Sequence, residues 1–173
     1  MQKVKIPHKV DPVRAAAKKL DFDGYIPRNL LERLAGVVET VLSDAEVHLS
    51  FSVDLQGLTV IEGSAGAAVK CECQRCGNPC ELGLSSDFHY TVDEKKARNL
   101  GLEDNYDFAE ADEFGEVDIY KLIEDELILT VPMVVTHPEG ECEIPGGGVY
   151  GEVVAEENTE GSPFAVLGKL KKS

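Results

Sequence analysis

The sequence predicts an α+β fold: a mainly antiparallel sheet built from consecutive hairpins, packed with about three helices and finished by acidic C-terminal loops. Three observations carry that reading. Between residues 47 and 92, apolar and polar side chains alternate in runs separated by turn-length gaps, the pattern of half-buried strands joined as hairpins. Around residues 27 to 43 and 118 to 131, apolar residues recur at helical spacing instead. Beyond residue 100 the chain carries 4 Lys+Arg against 18 Asp+Glu, much of it in glycine-rich stretches with few apolar anchors.

Taken in order, VKIP and HKVDP read as an edge strand or extended arm broken by Pro7 and Pro12, and Val13 to Leu20 as a short basic helix. Residues 1 to 20 form a basic arm, with Lys3, Lys5, Lys9, Arg14, Lys18 and Lys19 against Asp11 alone. Pro27 stands where a first helical residue would. Leu30, Leu31, Leu34, Val37, Val38, Val41 and Leu42 then share one face, which predicts a core helix over 27–43.

Val47, Leu49, Phe51 and Val53 alternate with His48, Ser50 and Ser52. Asp54 to Gly57 make a turn and Leu58 to Glu62 the return strand. His48 falls on the polar parity, where an exposed histidine is the expectation. After GSAG, a second hairpin follows: Ala67, Val69, Cys71 and Cys73 share a face, as do Leu82, Leu84, Ser86, Phe88, Tyr90 and Val92, across a loop at about 74–80 that holds Asn78 and Pro79. Four strands in succession joined by hairpins make the sheet mainly antiparallel.

Residues 93–101 have room for one or two helical turns. Residues 102–116 are an acidic loop that lacks a calcium-loop pattern, either solvated surface or a docking strip for a cationic partner. Asp118 is placed to cap a helix carrying Ile119, Leu122, Ile123, Leu127 and Leu129 and stopping before Pro132. Glu124, Asp125 and Glu126 fan over about 200° of that helix, so they read as a solvated face rather than paired catalytic acids. Met133 to Thr136 would add a last strand. Residues 138–161 read as a flexible acidic, glycine-rich segment, and Ser162–Pro163 would start a short terminal helix with Phe164, Leu167 and Leu170 along one side.

At 173 residues the chain reads as a single domain with a sizeable core. The net charge of −15 sets it against broad phosphate binding and favours basic partners. It shows neither a membrane-length apolar run nor a secretory signal, and its five cysteines are too crowded for a disulfide framework, so the expected setting is the reducing cytoplasm.

Four of those cysteines follow the spacing C-x-C-x2-C-x3-C at Cys71, Cys73, Cys76 and Cys80. The inner pair followed by Gly77 has the form of a metal knuckle, in which two thiolates face one ion and a glycine takes a positive φ. One such pair supplies half a closed zinc site. The remainder would come locally from Cys71 and Cys80, or from His137 and Cys142 in THPEGEC. The distant set has the better geometry, because alternate strand residues are about 6.5–7 Å apart, and Cys71 beside Val69 reads as a small buried hydrophobe. A hairpin with free thiols and no metal is the plain alternative.

The opening MQKVKIP…DPVRAA, the central CECQRCG, the segment EFGEVDIYKLIEDELILTVPMVVTH and the closing SPFAVLGKLK together resemble the YceD family, the bacterial large ribosomal RNA subunit accumulation proteins. The resemblance runs nearly end to end. It implies a cytosolic, non-enzymatic factor supporting synthesis, processing or stability of 23S rRNA and large ribosomal subunit assembly. The family's C-x-R-C pattern corresponds to Cys73 and Cys76. Joined to the charge pattern, it suggests an acidic surface including Glu113 and Glu116 that engages a basic large-subunit ribosomal protein or assembly factor, while Lys3, Lys5, Arg14, Lys18, Lys19 and the knuckle-tip Arg75 touch rRNA. The competing function is thiol–disulfide exchange at Cys73-x2-Cys76, with Arg75 and Lys70 lowering a thiol pKa. Hydrolysis fares worst, for no carboxylates converge on a groove that tolerates phosphate.

Overall fold

The computed structural model describes residues 4 to 142, so Lys3 and the expected helix after Ser162 lie outside the described residues. The first strand, β1 (Val4–Lys5), is followed by β2 (Lys9–Val10) and by α1 (Pro12–Ala17), where the Asp11 carboxylate accepts the Arg14 N–H at 3.0 Å and Pro12 opens the first turn. Strand β3 (Asp21–Ile26) leads through a 3-10 turn (Arg28–Leu30) into α2 (Glu32–Ala35), then β4 (Thr40–Val41). Three long strands come next: β5 (Ala45–Val53), β6 (Thr59–Glu72) and β7 (Pro79–Thr91). Helix α3 (Glu94–Asn99), β8 (Asp107–Phe108), β9 (Val117–Asp118) and α4 (Ile119–Thr130) complete the described residues.

The sheet order is β1-β3-β5-β6-β7-β8, with β4 pairing off β6, and β2 and β9 form a separate ribbon. The sheet is antiparallel except at its two ends, where β1 joins β3 and β8 joins β7 in parallel. Gly24 permits the first of these, since a Cβ there would stand 1.9 Å from the Val4 carbonyl oxygen. Helices α1, α2 and α4 cover one face. Ile26, Leu34, Leu49, Phe51, Ile61, Val69, Ile123 and Leu127 are buried between.

Several elements depart from expectation. The helix over 27–43 is not formed: its apolar face is real, with Leu31, Leu34, Val38 and Val41 buried, but it is presented by one helical turn, a short strand and the connections around them. Pro27 precedes the turn in an extended conformation, and Gly36 followed by β-branched Val37, Val38, Thr40 and Val41 favours strand over helix. β3 had no counterpart in the sequence reading. The GSAG stretch lies inside a continuous 14-residue β6, so the expected four hairpin strands are three, and the cysteine loop shrinks because Pro79 already opens β7 opposite Glu72. Met133 to Thr136 form no strand.

The capping role of Asp118 holds, with its carboxylate accepting the Lys121 N–H at 3.0 Å, but Leu129 is 79% exposed. Glu124 and Glu126 do not lie on a solvated face: both are buried. Glu124 accepts the N–H groups of Arg33 (2.9 Å) and Leu34 (3.2 Å), which supplies from α4 the cap that α2 lacks in its own sequence. Beside it, the Arg33 guanidinium pairs with Asp125 at 2.5 Å.

The β5–β6 turn is fastened by Asp54, which accepts the Leu58 N–H and the Tyr106 hydroxyl, each at 2.7 Å. Burial pushes its carboxyl up. The Tyr106 hydroxyl and the N–H groups of Leu58, Gln56 and Gly57 outweigh that and hold it below the usual range. A carboxyl depressed in the folded state contributes stability above its unfolded value, about 3.9, and loses it as pH falls through the folded one. Asp54→Asn is therefore expected to cost about 1 kcal/mol at pH 7. The melting-temperature gap between wild type and variant should narrow below about pH 4; a gap that is constant from pH 7 to pH 2.5 would contradict this.

Candidate metal centre

The β6–β7 turn is set by its backbone. The Cys73 N–H donates to the Asn78 carbonyl at 2.9 Å, and the Gly77 N–H to the Cys73 carbonyl at 2.8 Å, with Gly77 at φ 74° as a knuckle requires. This turn carries Cys73 and Cys76. The segment after α4 is brought over it by the Gln74 N–H, which donates to the Val135 carbonyl at 2.8 Å, and by the Gln74 side-chain amide, which donates to the Met133 carbonyl at 3.2 Å. Those contacts deliver His137 and Cys142.

The four donor atoms, three Sγ and His137 Nδ1, all lie within 4.8 Å of one another. Cys73 Sγ is 3.7 Å from Cys142 Sγ, and His137 Nδ1 is 3.4 Å from Cys76 Sγ and 3.7 Å from Cys142 Sγ. A tetrahedral zinc ion with bonds of about 2.3 Å to sulfur and 2.0–2.1 Å to nitrogen requires edges of about 3.8 Å between sulfurs and 3.5–3.6 Å between sulfur and nitrogen. These three separations match those edges. His137 Nε2 donates to the Pro79 carbonyl at 2.9 Å, which in the neutral ring leaves Nδ1 unprotonated toward the sulfurs, the tautomer a metal needs.

Electrostatics favour a thiolate at the centre of the set. Burial raises the Cys73 thiol, but the N–H groups of His137, Arg75 and Cys76 and the Cys76 side chain together bring it down to about 5. The Pro79 carbonyl and the Cys73 sulfur raise the His137 imidazole, while burial raises the Cys142 thiol. Chemically, the donors fit Zn²⁺ as a closed structural site with no open position.

Cys71 and Cys80 stand outside this set. They face each other across β6 and β7, both buried, and burial raises both thiols. Among the described residues one other cluster exists, Asp21, Asp23 and His48, all on the surface, where His48 Nδ1 lies 2.7 Å from Asp23 and 3.5 Å from Asp21.

The remaining candidates are spread over several elements. Lys5 is on edge strand β1, Arg14 on α1 beside Asp11, and Lys18 and Lys19 in the turn that follows; Arg75 tips the β6–β7 turn, and all are exposed. Glu113 is exposed and Glu116 half-buried, in the turn before β9. Lys9 is committed to Asp112 at 2.7 Å, so the basic arm and the acidic loop touch. The sequence reading missed the Pro79 carbonyl, for which a backbone atom gives no signal, and Gln74, whose place between Cys73 and Cys76 could have marked it.

A family model described as "Large ribosomal RNA subunit accumulation protein YceD" matches residues 61–171. A Haemophilus influenzae protein named "Large ribosomal RNA subunit accumulation protein YceD" is 43% identical over 173 residues, covering 99% of each chain. No solved structure matches significantly. With the family model spanning well over half the chain and the relative aligned end to end, the protein belongs to the YceD family of large ribosomal RNA subunit accumulation proteins.

Proposed function

We propose that this protein supports accumulation of large-subunit ribosomal RNA in the cytoplasm as a non-enzymatic assembly factor, by binding a basic ribosomal protein or a basic assembly factor. The observation that carries the reading is the net charge of −15 on a member of this family. Ribosomal RNA would meet carboxylates over most of this surface, whereas a basic ribosomal protein meets complementary charge and is screened until it is assembled. Lys5, Arg14, Lys18, Lys19 and Arg75 remain for limited contact with rRNA. No helix among the described residues is long and apolar enough to cross a membrane.

In this reading Cys73, Cys76, His137 and Cys142 hold one Zn²⁺, whose role is structural: it ties the β6–β7 turn to the segment that follows α4. The chain's own residues prepare the site, Gln74 by positioning residues 133–135 and Pro79 by fixing the His137 tautomer. Thiol–disulfide exchange is the second reading. The lowered Cys73 thiol favours it; its 1% exposure, which keeps a disulfide substrate from the sulfur, weighs against it.

A pull-down from lysate at low and high salt tests the main reading. Basic large-subunit ribosomal proteins are expected in the low-salt eluate and are lost as salt rises. The double charge reversal Glu113→Lys, Glu116→Lys should weaken their capture about tenfold at low salt if the acidic loop takes part. Recovery of rRNA with no basic protein would refute the partner assignment.

A further inference from the structure

From Glu103 to Asp118 the chain carries eight Asp and Glu and neither Lys nor Arg, and its second half folds into a hairpin bridged by Ala111 opposite Val117. The tip is a tight turn that Asp112 opens and Gly115 closes. The Gly115 N–H donates to the Asp112 carbonyl at 2.9 Å, Gly115 takes φ 78°, and the Asp112 N–H donates to the Glu116 carbonyl at 2.9 Å. One oxygen of the Asp112 carboxylate accepts the N–H groups of Phe114 (2.9 Å) and Glu116 (3.0 Å), and the other pairs with Lys9 of β2 at 2.7 Å. β2 is itself paired with β9, Lys9 opposite Asp118 and Val10 opposite Val117. The tip is thus held in one conformation by its own backbone and by the neighbouring ribbon.

The turn presents more than it needs. Its two central residues are Glu113 and Phe114, at positions where this turn type accepts most side chains. Phe114 is 76% exposed and belongs to neither apolar cluster; it is the one exposed Phe or Tyr among the described residues. The charges around it are only partly matched. The hairpin holds five carboxylates, Glu110, Asp112, Glu113, Glu116 and Asp118. Lys9 takes Asp112 and attracts Glu116 at longer range, His8 stands 3.2 Å from Asp118, and Lys121 shares a hollow with Glu110 and Asp118. Glu113, exposed and next to Phe114 in the turn, has no ion-pair partner among the described residues.

We propose that the Glu113–Phe114 tip docks the basic partner through one of its arginines, the guanidinium lying on the Phe114 ring and pairing with Glu113. An aromatic face beside an unmatched carboxylate suits this group: the guanidinium plane stacks on the ring while its N–H groups bind the oxygens, whereas an ammonium makes the ion pair without the planar stack. A tip already held by its backbone loses little conformational freedom on binding. The inference rests on the reading that the partner is a basic protein, and it names the part of the acidic loop that meets it. Phosphate is repelled by the surrounding carboxylates, which sets RNA aside. A second copy would bring two identical acidic tips together across a two-fold axis.

The test uses the full chain and two synthetic peptides, one alternating arginine with glycine and one alternating lysine with glycine, followed by fluorescence anisotropy at low salt. Phe114→Ser leaves the charge unchanged and should weaken the arginine peptide about fivefold, with Phe114→Tyr keeping wild-type affinity. Glu113→Gln should weaken it about threefold, while Glu103→Gln, which removes an equal charge in the exposed turn after α3, should change it by less than about 1.5-fold. The lysine peptide should bind the wild type more weakly and should not respond to Phe114→Ser. The melting temperature of Phe114→Ser should stay within about 2 °C of wild type, so a loss of affinity cannot come from unfolding. An arginine peptide that Phe114→Ser does not weaken, or a lysine peptide that binds equally well, overturns the tip, and capture of basic ribosomal proteins then leaves the partner reading standing. Retention of neither peptide nor any basic ribosomal protein overturns both. Self-association abolished by Phe114→Ser without peptide binding overturns the proposal in favour of a second copy.

Discussion

Cys73→Ser should abolish zinc binding and lower the stability of the folded unit by about 4 kcal/mol when free metal stands about a thousandfold above the dissociation constant. For a chain of this size that corresponds to a fall in melting temperature of roughly 8–16 °C. Cys73 is the member of the set with most at stake, since its sulfur takes the His137 N–H at 3.5 Å and stands 3.7 Å from Cys142. A serine hydroxyl is a poor zinc ligand beside a thiolate. Elemental analysis should return about one zinc per wild-type chain and none for the variant, and a chelator should bring the wild type to the variant's melting temperature. Cys71→Ser is the control, because Cys71 lies outside the donor set: it should keep the metal. Wild-type protein purified without zinc, or Cys73→Ser as stable as wild type at saturating zinc, would contradict the assignment.

That donor set was legible in the sequence because chemistry and turn grammar coincide there. Two cysteines separated by two residues and closed by Gly77 restrict the local geometry severely, and alternation along β6 put Cys71 with the buried Val69. The hairpins at β5–β6 and β6–β7 were legible for the same reason, a period of two bounded by turn residues. Helical period misled at residues 27–43, where Leu34 is buried from α2, Val41 from β4, and Leu31 and Val38 from the connections around them: a spacing of three and four marks one buried side without saying that a single helix presents it. Strand β3 was invisible because DFDGYI mixes acids and glycine into a short run whose pairing with β5 is long-range.

Glu126→Ala should cost about 3 kcal/mol, far more than a helix-surface glutamate, because the carboxylate is buried and accepts two hydroxyls. One is Ser86, at 2.6 Å; the other is Tyr90, and both are on β7. Burial and the neighbouring Glu126 carboxylate raise the Tyr90 hydroxyl well above its ordinary range, so it is a donor at neutral pH. Alanine leaves both hydroxyls without their acceptor and opens space between α4 and the sheet, and each hydrogen bond to a charged group contributes about 1.5–3 kcal/mol. Part of the carboxylate's gain offsets its own desolvation, so the pairwise contribution is read from a double-mutant cycle with Tyr90→Phe rather than from the single variant. A coupling of about 1–2 kcal/mol is expected, with the Glu126→Ala, Tyr90→Phe double variant losing less than the two single losses combined. If Glu126→Ala behaves like the exposed Glu103→Ala, within about 0.5 kcal/mol of wild type, then α4 is held to β7 by its apolar residues alone. The buried carboxylate would then have no part in fixing the helix whose end delivers His137 and Cys142.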